Sequence, residues 1–365
     1  RSLARSRRFW PFVVVTPLTI PAIALLLAAA AIGLSRLTTS DDLRALQSSP
    51  PELIDQQTRI GRWLAEPSPV QFYLVSAADE ESLLQREEAL IERLHELQRT
   101  GFISGHRALS DWVPSIARQH SDATLLAGPS TTASAAIIEQ IGASDQASRP
   151  LTHEPLSLHA VLNQPLASAL KPLFLGQLGD SQASVVQIAG LNDPAQLPRL
   201  QALAADLPGV QWVDKIADYS RLLREYRVAM SWVLASSFVL IYLLLLPRFR
   251  GGAWRVMAPA LCALLVVLAY LGWRGEALQL FHVLGLTVML GMSVDYGIFL
   301  MEPAPGDAPW LAVILGAVNT LLAFGLLAFS QTPALAAFGT TLLIGIGVAW
   351  LVAPMLCRAA ADSHE

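Results

Sequence analysis

Six apolar segments set the frame for this chain. They lie near Phe9–Leu34, Val228–Leu246, Val256–Gly272, Leu278–Met301, Ala308–Phe329 and Pro333–Leu356. A helix that crosses a bilayer needs about 20 residues, with a range of roughly 17–25. The last five segments are joined by short loops, so they are expected to pack as antiparallel neighbours. The first stands alone, and a long polar region separates it from the rest. The expected organisation is a cytoplasmic basic segment at 1–8, a transmembrane helix at 9–34, an extracytoplasmic domain at 35–226, a five-helix transmembrane bundle at 227–357 and a cytoplasmic tail at 358–365. Composition agrees. The chain is 53% hydrophobic and 15% charged, where an ordinary soluble domain carries about 25% charged residues. Mean hydropathy is +0.46.

The arginines orient the spans. "RSLARSRR", "PRFRGGAWR" and Arg358 fall on one side if the spans alternate, whereas the opposite loops "WRGE" and "SQTP" contain only Arg274. Both termini are therefore expected in the cytoplasm. A charged start before an apolar core also describes a secretory signal peptide. The stretch is longer than a typical signal core and no convincing cleavage site follows, so a retained span is expected. The chain does not start with Met and is expected to be part of a longer one. A net charge of −4 without a long basic run gives no support to nucleic-acid binding. The two cysteines, Cys262 and Cys357, lie in apolar segments, so no disulfide framework is implied.

The polar region reads as an α+β domain. "SPVQFYLVSA" has the aromatic and β-branched residues of a strand. In the helix expected next, Leu83, Leu90, Leu94 and Leu97 recur near the 3.6 period, and Gly101 suits its C-terminal cap. "ASVVQIAGL", "DPAQLPRLQALAADL" and "GVQWVD" repeat the strand–helix–strand order, which suggests a split-βαβ arrangement. "DWVPSIARQH", "ASAAIIEQI" and "LHAVLNQPLASALKPLFLG" are expected to be helical. No metal spacing, phosphate loop or nucleophile elbow occurs, and His106, His120, His153 and His159 are read as solvated or structural.

One carboxylate is out of place. Asp295 sits beside Tyr296 inside "LQLFHVLGLTVMLGMSVDYGIFLME". At 100° per residue, Asp295 and Gly291 share one side of the helix, and Ser293 and Gly297 lie nearly opposite. Small residues permit close helix approach, so this helix is expected inside the bundle with Asp295 facing protein. Gly316, Asn319, Thr320 and Ala323 form a polar and small stripe on the fifth span; Thr340 and Thr341 lie on the sixth. Ser293, Asn319, Thr320, Thr340 and Thr341 are candidates both for a relay and for plain helix packing. Packing does not need a carboxylate, whose burial costs about 2.5–3.5 kcal/mol on insertion scales. A proton relay is therefore expected of Asp295, because desolvation favours the neutral acid and makes proton loading accessible. Tyr296 cannot bond the Asp beside it in the same helix, which argues for a matching helix elsewhere.

These residues carry a resemblance. "GLTVMLGMSVDYGIFL" resembles the fourth-or-tenth-span motif of the MMPL branch of the RND transporter superfamily, in which Asp and Tyr are adjacent. The order of one span, large domain and five spans matches one RND half. "LFLGQLGDSQASVVQIAGLND" with "LPGVQWVDKIADYSRLLREYR", and also "SQTPALAAFG", are similar to MMPL-type predicted exporters found beside fatty-acid or aryl-polyene synthesis genes. The resemblance implies a six-helix half with an α+β porter-like domain, forming the C-terminal half of a twelve-span protein. It implies proton-motive-force-driven export of lipids or other hydrophobic molecules from the bacterial inner membrane. Asp295 and Tyr296 match the tenth-span relay pair. The implied partners are the N-terminal half, a hydrophobic or lipid substrate, membrane lipids and a periplasmic carrier protein, with protons as coupling ion and neither cofactor nor metal. Two alternatives stay open: a SecDF-like protein-translocation aid, and a non-transporting sensor or scaffold of the sterol-sensing kind. No enzyme is expected, because the polar region lacks a catalytic constellation.

Overall fold

A computed structural model of the chain describes residues 19–64, 67–125, 155–191, 196–302 and 308–357. The expected basic start, the helix at "ASAAIIEQI", His153, Arg358 and the cytoplasmic tail lie outside the described residues. Among the described residues the chain is mostly helical with one five-stranded sheet. Its contacts separate two units, residues 49–216 and residues 1–48 with 217–365.

The elements, in chain order, begin with α1 (Thr19–Ser35), α2 (Pro51–Leu64), β1 (Pro67–Ala77), α3 (Glu80–Arg99), β2 (Gly105–Arg107) and α4 (Leu158–Leu162). They continue with β3 (Phe174–Leu178), β4 (Ser181–Ala189), α5 (Leu197–Ala205), β5 (Val210–Asp214) and α6 (Lys215–Phe249). Then follow α7 (Ala253–Arg274), α8 (Leu280–Met301), α9 (Ala308–Ala323) and α10 (Pro333–Cys357).

In the unit 49–216 the sheet runs β2-β4-β1-β5, with β3 also paired to β4, and all the pairings are antiparallel. Alternate residues of β1 (Gln71, Tyr73, Val75 and Ala77) are buried, the period expected of a sheet with one covered face. Leu83, Leu90, Leu94 and Leu97 of α3 pack in the same core with Val186, Ile188 and Leu200. Asp79 starts α3 by accepting the Ser82 N–H at 2.8 Å. Gly101 ends it at φ +71°, with Phe102 N–H on Leu97 O and Gly101 N–H on Gln98 O, a Schellman closure that only glycine enters without strain.

The segment "LHAVLNQPLASALKPLFLG" departs from the helical expectation. It forms the short helix α4, a 3-10 turn at Pro165–Ala169 and then strand β3. Pro165 and Pro172 interrupt helical bonding. Gly179, at φ +63° in a two-residue hairpin loop, turns the chain from β3 into β4. "DWVPSIARQH" is helical only from residue 116.

Three carboxylates of α3 hold the strand-free segment after β2. Glu81 accepts the N–H groups of Ile116 and Ala117, and Glu88 accepts the N–H and the hydroxyl of Ser115. Glu87, 0% exposed, accepts from the Ser110 N–H at 2.9 Å and from the Ser184 hydroxyl. Burial lifts the Glu87 carboxyl above the usual carboxylate range despite these bonds. A group whose folded value is raised stabilises the fold fully below its unfolded value, near 4.3, and loses that contribution as pH rises through the folded value. Glu87→Gln mimics the protonated acid, with Oε1 accepting from Ser110 and the amide donating to Ser184. Calorimetry of the intact protein is therefore expected to show a variant whose stability relative to wild type grows as pH rises above about 4.3. A constant difference across that range would refute the buried acid as its source.

In the other unit, four helical segments among the described residues are long and apolar enough to cross a membrane, as in a multi-pass membrane protein: Lys215–Arg274, Leu280–Met301, Ala308–Phe329 and Pro333–Cys357. The first holds two of the six expected spans, joined through the 3-10 turn Arg250–Gly252, and α6 begins well before the expected Val228. α1 crosses α7 at two glycines. A Cβ on Gly33 would overlap the Ala269 carbonyl, and one on Gly272 the Gly33 carbonyl. The Trp273 indole N–H donates to Ala29 O at 2.9 Å. Arg227 holds Asp41 in a two-pronged ion pair at 2.7 and 2.9 Å, the geometry in which guanidinium and carboxylate match best.

Candidate functional site

α8 is built with two unlike faces. Its packed face is made by small residues. At Gly285 a Cβ would meet the Thr341 side chain of α10 at 2.9 Å. At Gly297 one would meet the Val256 carbonyl of α7 at 2.5 Å. Ser293 lies between them, 0% exposed, and its hydroxyl has no hydrogen-bond partner among the described residues. Met289 fills the approach of Gly345 on α10. With no lateral side chain in the way, α8 sits close to both neighbours, as small residues allow in membrane helices.

The other face carries Val288, Gly291, Asp295 and Phe299, all exposed. Nothing lies within 4 Å of a Cβ placed on Gly291. The expectation that Asp295 faces the interior of this bundle is not met: among the described residues no hydrogen bond or ion pair reaches its carboxylate. The cause is the geometry just given. Gly285 and Gly297 take close contacts to α10 and α7, and Ser293 is buried beside them, whereas Asp295, nearly opposite Ser293 and Gly297, points outward.

Tyr296 turns the other way. It is 3% exposed, and its ring edge lies 3.9 Å from where a Cβ on Gly316 of α9 would stand. Its hydroxyl faces Thr320, one turn further along α9, without completing a hydrogen bond. The Thr320 hydroxyl donates its proton to Gly316 O at 2.9 Å, so toward Tyr296 it can act only as an acceptor. The two adjacent candidates are thus divided: Asp295 looks out of the chain, and Tyr296 looks into the α8–α9 contact.

The remaining candidates scatter. Thr341 is buried and donates back to Ala337 O at 2.9 Å, as threonines within helices do. Thr340 lines a cavity at the other end of α8. Asn319 is exposed on α9 among Leu315, Val318 and Leu322. Tyr296 therefore meets Gly316 and Thr320, while Asp295, Asn319, Thr340 and Thr341 do not gather around it. Of the histidines, His106 pairs with Asp111 at 3.4 Å, and His120 and His159 are exposed. Among the described residues no group of three or more His, Cys, Asp or Glu could hold a metal ion.

Sequence reasoning passed over His282. It is 3% exposed at the third position of α8, and its Nδ1 accepts the Gln279 N–H at 3.1 Å, in a capping box with Gln279. The pattern Gln-x-x-His before an apolar run was the available signal, a variant of the usual Ser/Thr-x-x-Glu box.

No family model matches the chain, and no curated protein matches it. Among solved structures it is similar to a heavy metal efflux pump in two crystal forms. Crystal form II aligns with a TM-score of 0.31 at 16% identity over 51% of this chain. Crystal form I aligns at 0.29 and 18% over 50%. In both the match covers 21% of the pump's own chain. A likeness at that level decides neither fold nor activity.

Proposed function

We propose that this chain is one half, the C-terminal one, of a twelve-span exporter of the RND/MMPL type, driven by the proton-motive force. It would carry lipids or other hydrophobic molecules out of the bacterial inner membrane. The observation that carries the reading is the outward-facing Asp295 on an otherwise apolar arc of α8. Val288 and Phe299 would be at home against lipid; a carboxylate would cost about 2.5–3.5 kcal/mol there. The arc therefore calls for a cover of protein, and the N-terminal half supplies it in this reading through a helix with its own carboxylate. Asp295 then binds a proton from one side of the membrane and releases it to the other, each proton being worth about 2.3 kcal/mol per 100 mV. Tyr296, held by Gly316 and Thr320, links that event to the α8–α9 contact.

The unit at 49–216 fits a periplasmic porter-like domain of the split-βαβ type. Its strand order β2-β4-β1-β5, with α3 between β1 and β2 and α5 between β4 and β5, supports that reading. Protons are the only coupling species in this reading, and a periplasmic carrier would receive the substrate; no catalytic step is part of it. The experiment is Asp295→Asn in the full-length protein, read as export per molecule present in the membrane.

A further inference from the structure

A cavity of about 650 Å³ opens where α7 ends and α8 and α10 begin. That size lies within the roughly 300–1,000 Å³ of sites that hold small molecules. Its apolar wall includes Tyr270, Phe329, Pro333, Ala336, Leu343 and Ile344. Five polar side chains complete the lining: Arg274, Glu276, Gln279, His282 and Thr340. None belongs to the Asp295 face, so this is a second site within the same unit.

The polar groups are largely committed, and what remains of them selects a ligand. Arg274 Nε donates to Glu276 at 3.2 Å, so the two charges cancel. Gln279 and His282 cap each other across the first turn of α8. Because Nδ1 of His282 accepts the Gln279 N–H, the neutral ring carries its proton on Nε2. A buried imidazole fixed in this tautomer is a hydrogen-bond donor, and the Thr340 hydroxyl, which can donate or accept, lies on the same lining. A ligand with net charge would have to break the Arg274–Glu276 pair or sit beside its like-charged member. An uncharged head that accepts hydrogen bonds does neither.

We infer that this cavity binds a neutral single-chain amphiphile, with an ester- or hydroxyl-bearing head at His282 and Thr340 and its hydrocarbon chain along Ala336, Leu343 and Ile344. The site does not depend on the proton-relay reading, because none of its residues takes part in that step.

The test uses full-length protein in detergent, a fluorescent monoacylglycerol as probe, and a lysophosphatidylglycerol with the same chain as competitor. Saturable binding of the monoacylglycerol is expected, with the charged lipid a poor competitor. Ala336→Trp fills the cavity and is expected to weaken binding at least about tenfold, the equivalent of one displaced contact set. Thr340→Val removes one hydroxyl and is expected to weaken it about three- to tenfold at an unchanged melting temperature. Three results would overturn the proposal: binding that does not saturate, equal competition by the charged lipid, or wild-type affinity in both variants. A smaller assembly in Ala336→Trp at unaltered probe affinity would also overturn it, because the cavity would then be a contact between protein chains.

Discussion

Asp295→Asn is expected to leave the full-length protein in the membrane at near wild-type abundance and to abolish export. Asparagine keeps the size and hydrogen-bonding reach of the carboxyl but cannot release a proton near neutral pH. It also removes the cost of holding a charge on an apolar helix face, so the bundle has no reason to weaken. The packed face of α8 is untouched, since Ser293 and Gly297 are buried on the nearly opposite side. If Asp295 were instead a packing residue, export would fall only as far as the amount of protein falls. Quantified export divided by membrane-inserted protein separates the two. Wild-type export from the variant would leave the sensor or scaffold reading ahead.

Gly297→Leu is expected to have a large effect on folding. A Cβ at this position already meets the Val256 carbonyl at 2.5 Å and its Cα at 2.9 Å. Those are backbone atoms of α7, which cannot rotate aside as a side chain can. Overpacking in a close contact costs about 1–3 kcal/mol or more, and here it would push apart the helices that carry the core of the unit, including Val256, Val294 and Tyr296. The yield of monodisperse protein after extraction should fall severalfold. Gly291→Ala is the matched control on the same helix, because nothing lies within 4 Å of its added atom. Normal yield from Gly297→Leu would contradict the α7–α8 packing.

The contrast between these two glycines marks what was legible beforehand. Counting 100° per residue put Asp295 with Gly291 and set Ser293 with Gly297 across the helix, and the structure has them so. The further step, that small residues on both sides bury the helix on both sides, did not hold. Glycine is as small beside empty space as beside a packed backbone, and only the neighbours distinguish Gly291 from Gly297. Tyr296 obeyed the same count: one residue of helix rotates the side chain by 100°, so it does not face Asp295. What the count could not supply was the neighbour: its ring edge lies against Gly316 and its hydroxyl faces Thr320 of α9.

In the unit 49–216 the strands and helices with clear periods, β1, α3, β4 and β5, were readable from the residues. β3 was not, because "KPLFLGQLGD" offers apolar residues to either period and only the turn at Gly179 and its pairing with β4 decide it. His282 escaped notice for the opposite reason. It looks like a stray polar residue in an apolar run, and its meaning comes from the backbone N–H of Gln279 that it accepts.

Whether Asp295 carries the coupling proton is decided by proton flux into liposomes that contain the full-length protein, with a pH-sensitive dye inside and an imposed proton gradient. Wild type is predicted to show flux that rises when a hydrophobic substrate is supplied, and Asp295→Asn, reconstituted to the same density, to show none above empty liposomes. Substrate-dependent flux of equal size in the variant would contradict the claim.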